Sequence, residues 1–195
     1  VSLRLAGEVE YSLEIKRSRF RCRAAQVTDA EAAMDYLRSA GDAAATHNCW
    51  AYRIGGSYRS SDDGEPAGTA GRPILAAIDG HGLDAVVAVV TRWYGGIKLG
   101  AGGLVRAYGG CAAECLRNAP KITVEVRQRA RLHCSFDDLG SVHALLAQHQ
   151  AEKHSEQFDV DGATLEIDAP ASLMAPLADG LREASRGRIE LETLD

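Results

Sequence analysis

One run near the middle of the chain limits its fold more than any other segment: Thr91-Arg92-Trp93-Tyr94-Gly95-Gly96-Ile97-Lys98-Leu99-Gly100-Ala101-Gly102-Gly103-Leu104-Val105-Arg106-Ala107-Tyr108. Five glycines fall within residues 95–103, with Lys98 among them and Arg92 and Arg106 on either side. The apolar stretch Leu83–Val90 precedes the run, and Leu104, Tyr108, Cys111, Ala112 and Cys115 follow at helical spacing. This order predicts a buried strand, a glycine turn and a helix N-terminus. Such a turn exposes backbone N–H groups where the helix dipole favours negative charge.

The run approaches two nucleotide fingerprints and meets neither. A Gly-x-Gly-x-x-Gly begun at Gly100 ends on Val105, and a Walker A loop begun at Gly95 puts Ala101 and Gly102 where Lys and Ser/Thr belong. Two readings stay open. Glycines permit close strand-to-helix packing, or they expose amides to an anion. Arg92, Lys98 and Arg106 favour the second, because a purely structural turn needs no cations.

Around this run the chain reads as mixed helix and strand. Residues 5–15 and 18–27 form two strands about Lys16-Arg17-Ser18. Thr28 with Glu31 three residues on is a capping box, so a helix begins there and stops at Gly41. Residues 46–54 alternate as a strand. Gly55 to Gly71 is polar and glycine-rich and reads as a long loop, and residues 73–78 as a short helix behind Pro73. Asn118-Ala119-Pro120 closes the helix after the glycine run, which sets domains at 1–120 and 121–195.

The second domain has its own order. Ile122, Val124, Val126, Ala130, Leu132, Cys134 and Phe136 share one face of a long strand. A helix follows with Leu139, Val142, Leu145, Leu146 and His149 inward, then strands 152–160 and 163–169 about Asp161-Gly162. A helix with Leu173, Leu177 and Leu181 precedes a strand through Ile189 and Leu191. The order βαββαβ is ferredoxin-like.

Charge separates the two parts. Residues 1–120 hold 14 Lys and Arg against 13 Asp and Glu, and residues 121–195 hold 8 against 14, within a net charge of −5. Any contact with a polyanion therefore belongs to the first domain, and a DNA-coating protein is not expected. No apolar stretch approaches the roughly 20 residues of a membrane span, and the first residues lack a signal-peptide core. Cys22, Cys49, Cys111, Cys115 and Cys134 are odd in number and scattered, which fits free thiols in a cytoplasm.

Two other constellations carry possible chemistry. Asp62-Asp63-Gly64-Glu65-Pro66 puts three carboxylates in four residues, fit either for Mg²⁺ or for a solvated turn. His47 and Cys49 share a strand face, as a Cys–His site would require, but nothing nearby marks an oxyanion hole. Trp93 and Tyr94 are suited to stacking on RNA bases or to packing at a strand end.

Three blocks carry a resemblance. They are His47-Asn48-Cys49-Trp50-Ala51-Tyr52-Arg53-Ile54, Asp62 through Leu75, and Thr91 through Tyr108, with Ser18-Arg19-Phe20 ahead of them. Together they resemble the Impact family, of the bacterial YigZ type. Trp93-Tyr94 stands where Tyr-Phe is more usual, and Ala67 where Ser is. The resemblance implies an α+β chain. Its first domain would share the fold of a ribosomal small-subunit protein domain and of an elongation factor G domain, and its second would be ferredoxin-like. The eukaryotic relatives carry an additional N-terminal protein-binding domain. They regulate translation initiation by interfering with activation of an initiation-factor kinase.

The resulting expectation is a cytoplasmic, translation-associated regulatory protein, a binding protein rather than an enzyme. It would bind RNA, ribosome or a translation factor through Arg53, Arg72, Arg92, Lys98, Arg106 and the amides of Gly100, Gly102 and Gly103. No catalytic residue, cofactor or metal enters this reading. Its competitors are an enzyme for a phosphorylated small molecule or nucleotide, with Mg²⁺ on Asp62, Asp63 and Glu65, and a protein-interaction module using Arg127, Arg129 and Arg131.

Overall fold

The computed structural model describes residues 1–194, which divide into two units, Ser2–Thr123 and Val124 onward. In the first, five strands form a sheet in the order β2 (Val9–Ile15), β3 (Ser18–Gln26), β6 (Val86–Trp93), β4 (His47–Ile54) and β5 (Ser57–Ser61). Every neighbouring pair in it is antiparallel. β6 lies at the centre and is apolar on both faces. Val86, Ala88 and Val90 point to the helices α2 (Gly71–Gly80) and α3 (Ala101–Arg117), whereas Val87 and Val89 point to α1 (Ala30–Ala40). A two-faced core of this kind requires the near-continuous valine run that the sequence carries.

Several boundaries differ from expectation, each for a local reason. The cap of α1 is Asp29, not Thr28, because the Asp29 carboxylate accepts the Ala32 N–H at 2.8 Å. The stretch 5–15 breaks at Ala6–Glu8, and β1 (Ser2–Leu5) leaves the sheet to pair with β7 (Lys121–Val124). That pairing carries the first unit past residue 120. Part of the expected loop 55–71 is strand: β5 pairs with β4 around Gly55, whose φ of +57° permits the turn. β5 is an edge strand with one strand neighbour, so a polar sequence suffices for it.

The shift that matters for function is in β6. It runs to Trp93 rather than ending at Val90. Strand alternation therefore sends Arg92 to the α3 side and Trp93 to the opposite side.

The second unit is a four-stranded antiparallel sheet in the order β11 (Glu192–Leu194), β8 (Arg127–Ser135), β10 (Gly162–Pro170), β9 (Glu152–Phe158). With α4 (Leu139–Gln148) and α5 (Ala171–Ala184) this is the ferredoxin-like arrangement. Its core joins Ala130, Leu132 and Cys134 to Val142, Leu146, Leu177 and Leu181. The expected single strand from Ile122 to Phe136 is split at Glu125-Val126, and Ile122, Val126 and Phe136 are exposed.

Candidate functional site

The glycines of the central run do different work. A Cβ on Gly95 would lie 1.9 Å from the Arg17 carbonyl oxygen, so this position is fixed by packing against the β2–β3 turn. Gly96 and Gly100 have φ of +86° and +75°, where a side chain is strained. Gly100 is the N-cap of α3, and no side chain caps the helix. Its carbonyl accepts the Leu104 N–H at 2.9 Å. The amides of Ala101, Gly102 and Gly103 thus have no intrahelical acceptor.

The start of this turn, Gly100 and Ala101, borders a cavity of about 470 Å³ whose lining also includes His47, Glu65, Arg92, Tyr94 and Lys98. Beneath it lies a buried polar network. Arg92 Nη1 donates to Glu65 Oε1 at 2.6 Å, Tyr108 Oη donates to the same oxygen at 2.7 Å, and Arg92 Nη2 donates to Ser18 Oγ at 3.3 Å. The side chains of Arg92 and Glu65 are 6% and 4% exposed. Burial, together with the neighbouring Cys49 and Glu65, raises the Tyr108 phenol well above its ordinary range and keeps it a donor.

His47 reaches this network from β4. Its Nδ1 donates to the Asp63 carbonyl at 2.7 Å, since a carbonyl can only accept, and its Nε2 lies 3.8 Å from Glu65 Oε1. Cys49 lies on the same strand face, fully buried, and its thiol donates to the Asp62 carbonyl at 3.0 Å. Burial pushes that thiol up to about 12, aided by the nearby carboxylates and opposed by a Tyr108 hydrogen bond. The pair is engaged by two loop carbonyls rather than by each other, and the Cys–His reading has no geometry behind it.

The acidic loop is likewise occupied by its own backbone. Asp62 accepts the N–H groups of Gly68 (2.8 Å), Ala70 (3.0 Å) and Gly71 (2.8 Å) and so caps α2 from a distance. Burial alone would raise its carboxyl, but these three donors and Arg72 hold it below the usual carboxylate range. Asp63, at φ +42°, accepts the Asn48 N–H at 2.6 Å, and Glu65 faces inward to Arg92. The three carboxylates therefore diverge instead of converging on one ion. Among the described residues no group of three or more His, Cys, Asp or Glu is placed to hold a metal.

The expected cations separate into two sets. Lys98 lines the cavity, and the Arg106 guanidinium lies near Gly102 in the first turns of α3. Arg72 is exposed on α2 near Asp62. Arg92 also lines the cavity, with its guanidinium held by Glu65 and Ser18. Arg53 lies away from the cavity and is paired in a fork with Asp79. On the second unit's sheet, Arg127 and Arg131 are paired with Asp168 and Glu166 (3.0 and 2.7 Å), so that face has less free charge than its sequence implies.

Three residues of the site are not legible from the sequence: Tyr108, Ser18, and Thr46, which lines the cavity and whose Oγ accepts the Tyr94 N–H at 2.9 Å. Tyr108 matches the apolar face of α3, and only the position of Glu65 in space reveals what its hydroxyl is for.

Comparison with known proteins agrees with this architecture. The Impact N-terminal domain matches residues 16–116, and a domain of unknown function, DUF1949, matches residues 132–188. An "IMPACT family member in pol 5'region" from Thermus thermophilus is 45% identical over 179 residues, covering 91% of this chain and 99% of the relative. "IMPACT family member YigZ" from Escherichia coli K12 is 37% identical, covering 97% and 96%. "Protein IMPACT" from Xenopus laevis matches only 64 residues, at 47% identity, or 30% of this chain and 20% of its own length. A solved structure titled "Crystal structure of an hypothetical protein" aligns with a TM-score of 0.67 at 35% identity, covering 100% of this chain and 97% of that one. With both of its units accounted for in this way, the chain belongs to the Impact family, alongside bacterial members of the YigZ type.

Proposed function

We propose that this chain is a translation-associated RNA-binding protein that grips phosphate at the N-terminus of α3. The observation carrying the proposal is the uncapped first turn of a 17-residue helix, opening on a cavity with Lys98 at its wall and Arg106 one turn on. Backbone N–H groups and the helix dipole stabilise an anion there, and two flexible cations add long-range attraction. Gly102 allows close approach, because open space and only the Arg106 side chain lie where its Cβ would be. Ribosomal RNA supplies phosphate in the translation context that the family resemblance implies.

The binding partners among the expected residues are then Lys98, Arg106, Arg72 and the amides of Gly102 and Gly103. Glu65 and Arg92 form the floor that holds β6 and α3 in register. Co-sedimentation with ribosomes at low and moderate salt tests this reading. The wild-type chain should pellet at low salt and be released as salt rises, and the Lys98→Ala/Arg106→Ala variant should stay in the supernatant. Equal pelleting of the two proteins would count against it.

A further inference from the structure

The opposite side of the same sheet end carries a second unusual cluster. On β3, Arg19 and Arg21 lie in register with Trp93 and Thr91 of β6. The Arg19 guanidinium lies over the Trp93 ring at 4.2 Å from its centroid, and that of Arg21 at 5.2 Å. The core under α1 takes Val87 and Val89 of β6 but not Trp93.

Charge along β3 is unequal. Arg23 is ion-paired with Glu8 and Glu10. Among the described residues, Lys16, Arg17, Arg19 and Arg21 have no carboxylate within 4 Å, although Glu14 is the cross-strand neighbour of Arg19. Arg21 donates to the Ala40 carbonyl at 3.3 Å, while its buried Nε has no partner. Two of these cations, Arg19 and Arg21, lie over one indole, and Lys16 and Arg17 belong to the turn that leads into β3. The turn bearing Arg17 packs directly on Gly95, so this surface adjoins the glycine run.

We propose that Arg19, Arg21 and Trp93 form a base-stacking platform for single-stranded RNA, extending the strand whose phosphate is held at α3. Planar guanidinium groups over an indole leave a flat cationic surface on which a nucleobase stacks, while neighbouring cations meet its phosphates. Duplex RNA keeps its bases stacked on one another and cannot use the platform. An acidic peptide would satisfy the charge and leave the plane unused. The inference rests on the RNA reading above and adds the class of RNA.

Trp93 and Trp50 are the only tryptophans, so a Trp50→Phe chain reports on Trp93 alone. Titrating it with a short oligoadenylate, with duplex RNA of equal charge and with oligoglutamate separates the outcomes. Stacking predicts quenching of Trp93 by the single strand. It also predicts about tenfold weaker single-strand binding in Arg19→Ala, with duplex binding nearly unchanged. Labelled-oligonucleotide anisotropy on Arg19→Ala in the otherwise native chain gives the same answer should Trp50→Phe fold poorly. Equal affinity for single strand and duplex, unaffected by Arg19→Ala, overturns the platform and leaves the phosphate site standing. Oligoglutamate binding as tightly as RNA also overturns it. Failure of every RNA to bind at low salt removes both readings.

Discussion

Arg92 and Glu65 are joined by a 2.6 Å hydrogen bond between two nearly inaccessible side chains, and this bond ties the last residues of β6 to the acidic loop. A buried pair adds little over an apolar replacement, but breaking it leaves an uncompensated charge. Glu65→Gln should destabilise the chain by about 3–5 kcal/mol, read from urea denaturation. A loss below about 1 kcal/mol would mean that solvent reaches Arg92.

The glycines should separate by mechanism. Gly95→Ala, which drives a methyl into the Arg17 carbonyl, should cost roughly 3 kcal/mol or more. Gly100→Ala meets no atom within 4 Å and bears only its φ of +75°, a cost of about 1–2 kcal/mol. Thermal unfolding of the two variants checks the order, and Gly100→Ala as the worse of the two would contradict it.

Gly102→Ala divides stability from binding. Inside α3 an alanine should stabilise by up to about 1 kcal/mol, since only the Arg106 side chain is near, at 3.8 Å. The added methyl stands where phosphate would approach the amides, so RNA affinity should fall while Tm holds or rises. Undiminished affinity would move the anion elsewhere.

Asp62 gives the acidic loop a pH dependence. Its carboxyl is held below the ordinary value, so the stability it adds is fully present above the unfolded pKa, roughly 4. That stability is lost as pH falls through the lower folded value. Asp62→Ala should cost about 1 kcal/mol at neutral pH, as for a lost helix cap, and should flatten the acid limb of the stability curve. An acid limb parallel to wild type would show that the three amides find other acceptors.

The cysteines should be silent in the folded chain. All five are buried, and Cys49 and Cys111 are pushed up to about 12, chiefly by burial. Maleimide labelling should therefore proceed only with unfolding, and rapid native labelling of Cys49 would reopen a chemical role for the cleft.

Much of the fold is legible from periodicity. The valine run predicts a central strand, and the alternation of Ala130, Leu132 and Cys134 predicts the helix-covered face of the second sheet. Site residues are less legible, because a charged letter does not say which way it points. Arg92 looks like a surface cation until the strand is known to continue past Val90, whereupon alternation buries it against Glu65. Asp62, Asp63 and Glu65 look like one acidic cluster until the loop turns them toward α2, Asn48 and Arg92. Contacts between residues 27 to 43 positions apart, such as Glu65 with Arg92 and Tyr108, are not written in any local pattern.

Phosphate binding at the start of α3 is read most sharply from the salt dependence of affinity for single-stranded RNA, measured by anisotropy in wild type, Lys98→Ala and Lys98→Ala/Arg106→Ala. Each phosphate contact removed should lower the slope of log K against log salt by about 0.7. Binding should weaken steeply with salt, with a slope reduced by about 1.4 in the double variant. A slope identical in all three proteins would contradict it.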